Sequence, residues 1–110
     1  MAERTIRSFA EFWPYYLGEH AKAHTRALHY VGTTLVVLFG LAALWTDRWG
    51  LLAAMPFAGY LFAWVAHFMV ERNRPATFTY PLWSLAADFK MWWYWLTFRL
   101  GPELVKAGVH

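Results

Sequence analysis

The chain contains no cysteine, which removes disulfide frameworks, thiolate metal sites and cysteine nucleophiles together. Any metal must be held by imidazole, carboxylate or backbone oxygen. Charge is scarce as well: 15% of the residues are Asp, Glu, Lys or Arg, against about a quarter in ordinary soluble domains. The net charge is +3, and no basic run interleaves with aromatics, so a nucleic-acid partner is excluded. Low hydrophobicity, the mark of disordered chains, is missing too. The polar opening MAERTIRS is followed closely by neither a long apolar run nor a small-residue cleavage site, so a cleaved signal peptide is not expected.

What fills the space is apolar and aromatic. The 110 residues are enough for one domain, and 59% of them are hydrophobic, with eight Trp, nine Phe and six Tyr. A domain this small leaves much of its surface exposed and cannot hide that payload from water. Lipid is therefore expected as part of the solvent. Two segments, ALHYVGTTLVVLFGLAALWT over 27–46 and WGLLAAMPFAGYLFAWVAHFMV over 49–70, carry no Asp, Glu, Lys or Arg and reach the roughly twenty residues a span needs. The short Thr46-Asp47-Arg48 connector makes them antiparallel. Pro56 predicts a kink in the second, while Gly32, Gly40 and Gly59 permit close helix packing.

Around this hairpin the reading is less regular. Ser8 and Glu11 have capping-box spacing, with Pro14 either inside the helix they start or in the first turn of a later one. A short interfacial helix through about His20 would carry Phe9, Phe12, Trp13, Tyr16 and Leu17 on its apolar side. After the loop 71–81, a helix from Pro81 to Leu100 either crosses the bilayer with Asp88 turned inward or lies along its surface, and Gly101-Pro102 reads as its stop. The fold class expected is all-α. It is a single membrane-embedded domain over 1–110, a small integral membrane bundle with an antiparallel transmembrane hairpin, an N-terminal interfacial helix and a C-terminal amphipathic or spanning helix. Arg4, Arg7, Lys22 and Arg26 precede the first span, Arg48 alone marks the turn, and Arg72 and Arg74 follow the second. Basic residues favour the cytoplasm, so the N-terminus and the 71–81 loop are expected there, the turn opposite, with a bacterial inner membrane as the setting.

Five histidines, at 20, 24, 29, 67 and 110, are the candidate chemistry. His29 lies just inside the first span and His67 just before the end of the second, so antiparallel packing brings both to the cytoplasmic end. Glu71 follows His67 by one helical turn. Imidazoles converging with a carboxylate suit a divalent transition metal. Taken singly, each His also reads as an interfacial anchor, and Glu71 as a helix cap or a partner for Arg72 or Arg74. His20 and His29 point to opposite sides of one straight helix. They meet only if the chain turns between them, with Thr25 as an N-cap for the restart. Either His20 or His24 could then come from the first segment, and His110 reads as terminal and solvated. Arg26, Arg72 and Arg74 are close in sequence to these ligands and suited to clamping a carboxylate; their plainer reading is a positive-inside anchor.

The string FWPYYLGEHAKAHTRALHYVGT, followed by GYLFAWVAHFMVERNRPATFTYPLWSLAADFKMWW, resembles the 2-hydroxy fatty acid dioxygenase family of small membrane proteins over residues 9–100. The pattern falls on His20, on His29 with Gly32-Thr33, on His67 with Glu71, and on Pro75-Ala76-Thr77. The resemblance implies an Fe(II)-dependent oxygenase that shortens a 2-hydroxy fatty acid by one carbon using O2. It implies metal ligation by His20, His29 and His67, with Glu71 either a further ligand or the acceptor for an imidazole N–H, and it leaves His24 outside the site. Glu71, Arg26 and Arg74 are the catalytic candidates, the arginines by their proximity in sequence alone. The competing reading is a non-enzymatic membrane protein whose His/Arg cluster binds anionic lipid or a partner helix.

Overall fold

The computed structural model describes residues 5–109; Arg4 and His110 lie outside them. Within that range the chain is helical and no strand is present. Helix α1 runs Phe9–Gly18, α2 Ala23–Thr46, α3 Ala54–Val65, α4 Pro81–Leu96 and α5 Leu100–Lys106. A 3-10 turn over Trp49–Ala53 leads into α3, a π-wound turn over Ala66–Glu71 continues it, and a short 3-10 turn at Ala76–Phe78 precedes α4.

Ser8 starts α1 as the spacing predicts, its Oγ accepting the Glu11 N–H at 3.2 Å, and Pro14 sits inside the helix without ending it. The apolar side of α1 is covered by protein. Phe12, Trp13, Tyr16 and Leu17 are buried in one core with Tyr80, Ala87, Met91, Leu100 and Val109. The Trp13 indole N–H reaches Glu103 on α5 at 3.0 Å, and the Tyr80 hydroxyl accepts the N–H groups of Thr5 and Ile6.

The hairpin is built differently. Ala23–Thr46 and Trp49–Glu71 are both long and apolar enough to cross a membrane, and their outer faces remain bare, with Trp45 90% and Phe57 78% exposed. An aqueous monomer does not display patches of that kind. Asp47 closes α2 in the left-handed region at φ 56°, which a short polar side chain tolerates, and the chain reverses there. The 3-10 start to the second arm lies just before Pro56, which has no N–H to give to a regular α-turn. Between the arms, a Cβ on Gly32 would stand 3.0 Å from the Phe62 Cβ and 3.3 Å from the Ala58 carbonyl oxygen. The backbones are that close.

Two sequence expectations give way. The helix expected over 81–100 breaks after Leu96, where Phe98 takes φ 59° and the Arg99 N–H turns back to the Tyr94 carbonyl. Gly101-Pro102 therefore lies in the first turn of α5, where a missing proline N–H costs nothing, and starts a helix where a stop was read. At 16 residues, α4 is shorter than the roughly twenty a span requires. Thr25 does not cap α2 either, because the helix already begins at Ala23 behind Lys22.

The close arm contact sets an expectation for stability. Gly32→Val should cost about 1–3 kcal/mol by overpacking. Gly18→Ala, where an added Cβ meets nothing within 4 Å, should be neutral or stabilising by up to about 1 kcal/mol. Denaturant unfolding in detergent reads both, and an unchanged midpoint for Gly32→Val would show that the arms are not in contact.

Candidate metal centre

Three imidazoles meet at one end of the hairpin. The Nε2 of His20 stands 3.1 Å from that of His29 and 3.0 Å from that of His67, and the three ligand atoms lie within 4.8 Å of one another. His20 is 1% exposed, His29 5% and His67 2%. Each comes from a different piece of backbone: the bend between α1 and α2, the second turn of α2, and the π-wound turn.

The other ring nitrogen of each histidine fixes its state. Nδ1 of His20 contacts the Tyr16 carbonyl at 2.7 Å, Nδ1 of His29 the Thr25 carbonyl at 3.0 Å, and Nδ1 of His67 the Asn73 Oδ1 at 2.7 Å. The Asn73 amide is oriented by its own Nδ2, which donates to the Glu19 carbonyl and carboxylate. All three partners are acceptors, so all three Nδ1 atoms carry the proton. In the neutral ring Nε2 is then a bare lone pair. Three lone pairs pointing into one space repel unless a cation lies among them. Burial pushes the His20 imidazole well below its ordinary range, helped by the neighbouring rings, so a proton is a poor candidate for that cation. The donor set fits a transition metal bound by neutral imidazole.

The bend that brings His20 back is held by Arg26, whose Nη1 donates to the His20 and Ala21 carbonyls, both at 2.8 Å. Glu71 closes the assembly from the other arm. Its Oε2 accepts the Lys22 N–H at 3.0 Å and the Thr25 hydroxyl at 2.6 Å, placing a carboxylate on the positive end of α2.

Glu71 thus stands apart from the imidazole cluster. The expectation that it would share a face with His67 assumed α-helical winding. In the π-turn the bonds run i→i+5, so four residues fall short of a full turn and Glu71 projects toward the start of α2. The acceptor for the His67 ring is Asn73 instead. Its place between Arg72 and Arg74 in the loop was visible in the sequence, although its role was not. The arginine clamp is not assembled: Arg26 is tied to the bend, the Arg74 guanidinium lies 5.3 Å from the centre of the Phe78 ring, and Arg72 is exposed. His24 is exposed on the first turn of α2.

Beside the triad lies a cavity of about 340 Å3 between α2, α3 and α4. His20, His29 and His67 are part of its wall, and its apolar lining includes Val36, Met55, Pro56 and Gly59. No lysine or arginine lines it among the described residues. Its polar wall comes from Thr33, Ser84, Asp88 and Tyr16. The Tyr16 hydroxyl donates to Asp88 Oδ1, and its ring packs on His20 with centroids 4.1 Å apart. Burial raises the Asp88 carboxyl from 3.8 to about 7, against the opposing pull of the tyrosine hydrogen bond.

A family model described as 2-hydroxy-palmitic acid dioxygenase Mpo1-like matches residues 6–100. No curated protein and no solved structure matches the chain.

The Asp88 environment has a pH signature. Its native pKa is raised above the unfolded value, so the stability associated with its protonated form is complete below about pH 4. That stability is lost as pH rises towards about 7. The difference in thermal midpoint between the metal-free protein and its Asp88→Asn variant should shift against the native protein across that window and level off above it. Parallel curves would show Asp88 already ionised in the fold at pH 4–5.

Proposed function

The chain belongs to the Mpo1-like family, and on that premise we propose that it is an Fe(II)-dependent membrane dioxygenase acting on 2-hydroxy fatty acids. The observation that carries the reading is the convergence of three buried Nε2 lone pairs, each oriented by an acceptor on its own Nδ1, on the wall of a largely apolar cavity. One 2-hydroxy acid and one O2 balance as the acid one carbon shorter, carbon dioxide and water, so no external reductant is needed. Iron(II) held by three neutral imidazoles would supply the redox chemistry with O2 and leave positions for substrate.

The residues divide the remaining work. His20, His29 and His67 are the proposed ligands. Tyr16, Thr25 and Asn73 keep their Nδ1 atoms protonated and the rings aimed, the usual task of groups behind metal-bound imidazoles. Glu71 and Arg26 act through the backbone they hold rather than by touching substrate. Arg74 serves as an interfacial anchor. The apolar lining from Val36 to Gly59 suits an acyl chain, and the bare hairpin faces suit a bilayer. The Lys/Arg distribution supports an orientation with the triad end in the cytoplasm; a bacterial inner membrane is the setting we propose.

Anaerobic Fe(II) loading followed by metal analysis tests the site. Each of His20→Ala, His29→Ala and His67→Ala should abolish both bound iron and the one-carbon shortening of 2-hydroxypalmitate, while His24→Ala leaves both unchanged. Asn73→Ala should cost about 10–100-fold in iron affinity or activity. Iron binding should weaken as pH falls through the imidazole range, because the ligands must be deprotonated. Absence of stoichiometric iron in the loaded native protein would sink the reading and favour a lipid- or helix-binding role.

Topology is checked independently. Single cysteines at Asp47 and Thr77, in a chain with no other thiol, should label from opposite faces, with Asp47 alone accessible from outside. Outside labelling of Thr77 would overturn the orientation.

A further inference from the structure

Ser84 is the anomaly of the cavity wall. It is 2% exposed, it lines the space shared with the three histidines, and its Oγ is a buried polar side-chain atom with no hydrogen-bond partner. Serine in a helix ordinarily turns to solvent or bonds back to the preceding turn. Here the Tyr80 carbonyl already takes the Ser84 backbone N–H at 2.9 Å, and the hydroxyl bonds to nothing. A buried hydroxyl left unpaired is costly and calls for a specific explanation. An alanine would fill the position without that cost.

The surroundings limit what completes it. With no Lys or Arg among the cavity's lining residues, a carboxylate held against Ser84 would lack a counter-charge from the protein, and Asp88 lies one turn further along the same helix. An uncharged hydroxyl has neither difficulty, and a serine can both donate to it and accept from it. We propose that the Ser84 hydroxyl recognises the 2-hydroxyl of the acid, and so sets the preference for 2-hydroxy over unsubstituted fatty acids. This rests on the substrate class given under the proposed function and adds a specificity-determining residue to it. A site that pairs with a ligand hydroxyl rejects the analogue lacking it, because the site's own group is then left unpaired.

The test uses the full chain without metal in detergent, so that its outcome does not depend on iron. The probes are methyl 2-hydroxyoctanoate and methyl octanoate, uncharged esters that differ only in the hydroxyl, measured by equilibrium dialysis. The native protein should bind the hydroxy ester roughly tenfold more tightly, as expected of one net hydrogen bond. Ser84→Ala should bring the two affinities to within about twofold by weakening only the hydroxy ester, and Ser84→Thr should restore part of the preference. The metal-free Ser84→Ala protein should melt at or above the native temperature, since it loses an unpaired buried group. No preference in the native protein, a preference that survives Ser84→Ala, or a lowered melting temperature in that variant would each overturn the assignment. Loss of the iron reading with the ester preference intact would leave the Ser84 assignment standing.

Discussion

Three imidazole lone pairs facing one another at 3.0–3.1 Å are the constraint from which much of this small fold follows. The arrangement is unstable as a metal-free hydrogen-bonded cluster, because every proton that could separate the Nε2 atoms is committed to an Nδ1 acceptor. It becomes favourable once a cation sits among them. Holding it ready demands three backbone segments in fixed relation, and the irregular parts of the chain provide that. Arg26 ties the carbonyls of the α1–α2 bend. The π-turn carries His67 and then brings Asn73 back under it, with the Asn73 N–H on the His67 carbonyl at 2.9 Å. Glu71 fastens that turn to the first residues of α2. Removing any of these would loosen the triad without touching a ligand.

The surrounding helices form two groups that differ in how much they bury. The hairpin buries little of its own apolar surface, and its outward Leu, Trp and Phe side chains suit a lipid surrounding. By contrast α1, α4 and α5 enclose a buried core around Phe12, Leu17 and Met91, although Leu82 on α4 and Phe98 after it stay exposed. Cross-links between the halves are polar or aromatic and include the Asn73 amide on Glu19, the Trp92 indole on the Thr34 hydroxyl at 2.9 Å, and Tyr30 stacked on Trp95 with centroids 4.3 Å apart. His20 belongs to the first half, His29 and His67 to the hairpin. The triad therefore also joins the two halves, and metal binding should tighten their contact as bound ligands stabilise any native state.

The parts legible in the sequence were those governed by long-range regularities. Uncharged runs of span length gave the hairpin, and antiparallel geometry alone put His29 and His67 at one end. The phase argument made a bend the condition for His20 to meet His29, and the family resemblance chose His20 over His24. What escaped the sequence depended on local departures from regular winding. The i, i+4 relation of His67 and Glu71 assumed 3.6 residues per turn, and a π-turn has no composition signal that distinguishes it. Thr25 resembled a cap because its hydroxyl does make an N-terminal contact, but with a carboxylate from the other arm that no local pattern reveals. Gly101-Pro102 suits either end of a helix, and the left-handed Phe98 decided which.

The cavity connects these points. Its lining joins the apolar Val36, Met55, Pro56 and Gly59 of the hairpin arms to polar groups on Tyr16, Thr33, Ser84, Asp88 and the three imidazoles. Under the proposed function, that mixed lining would suit a molecule with one polar head and a long apolar tail. Charge completes the argument. With Arg26 turned to the bend, Arg74 on Phe78 and no lysine or arginine among the described lining residues, a fatty acid entering as its carboxylate would meet no counter-charge from the protein. It would find one only where the three lone pairs hold a cation. Under the proposed function, the absence of basic groups from the lining and the triad's need for positive charge would be complementary, with a cation held by the three imidazoles as the counter-charge for the acid group.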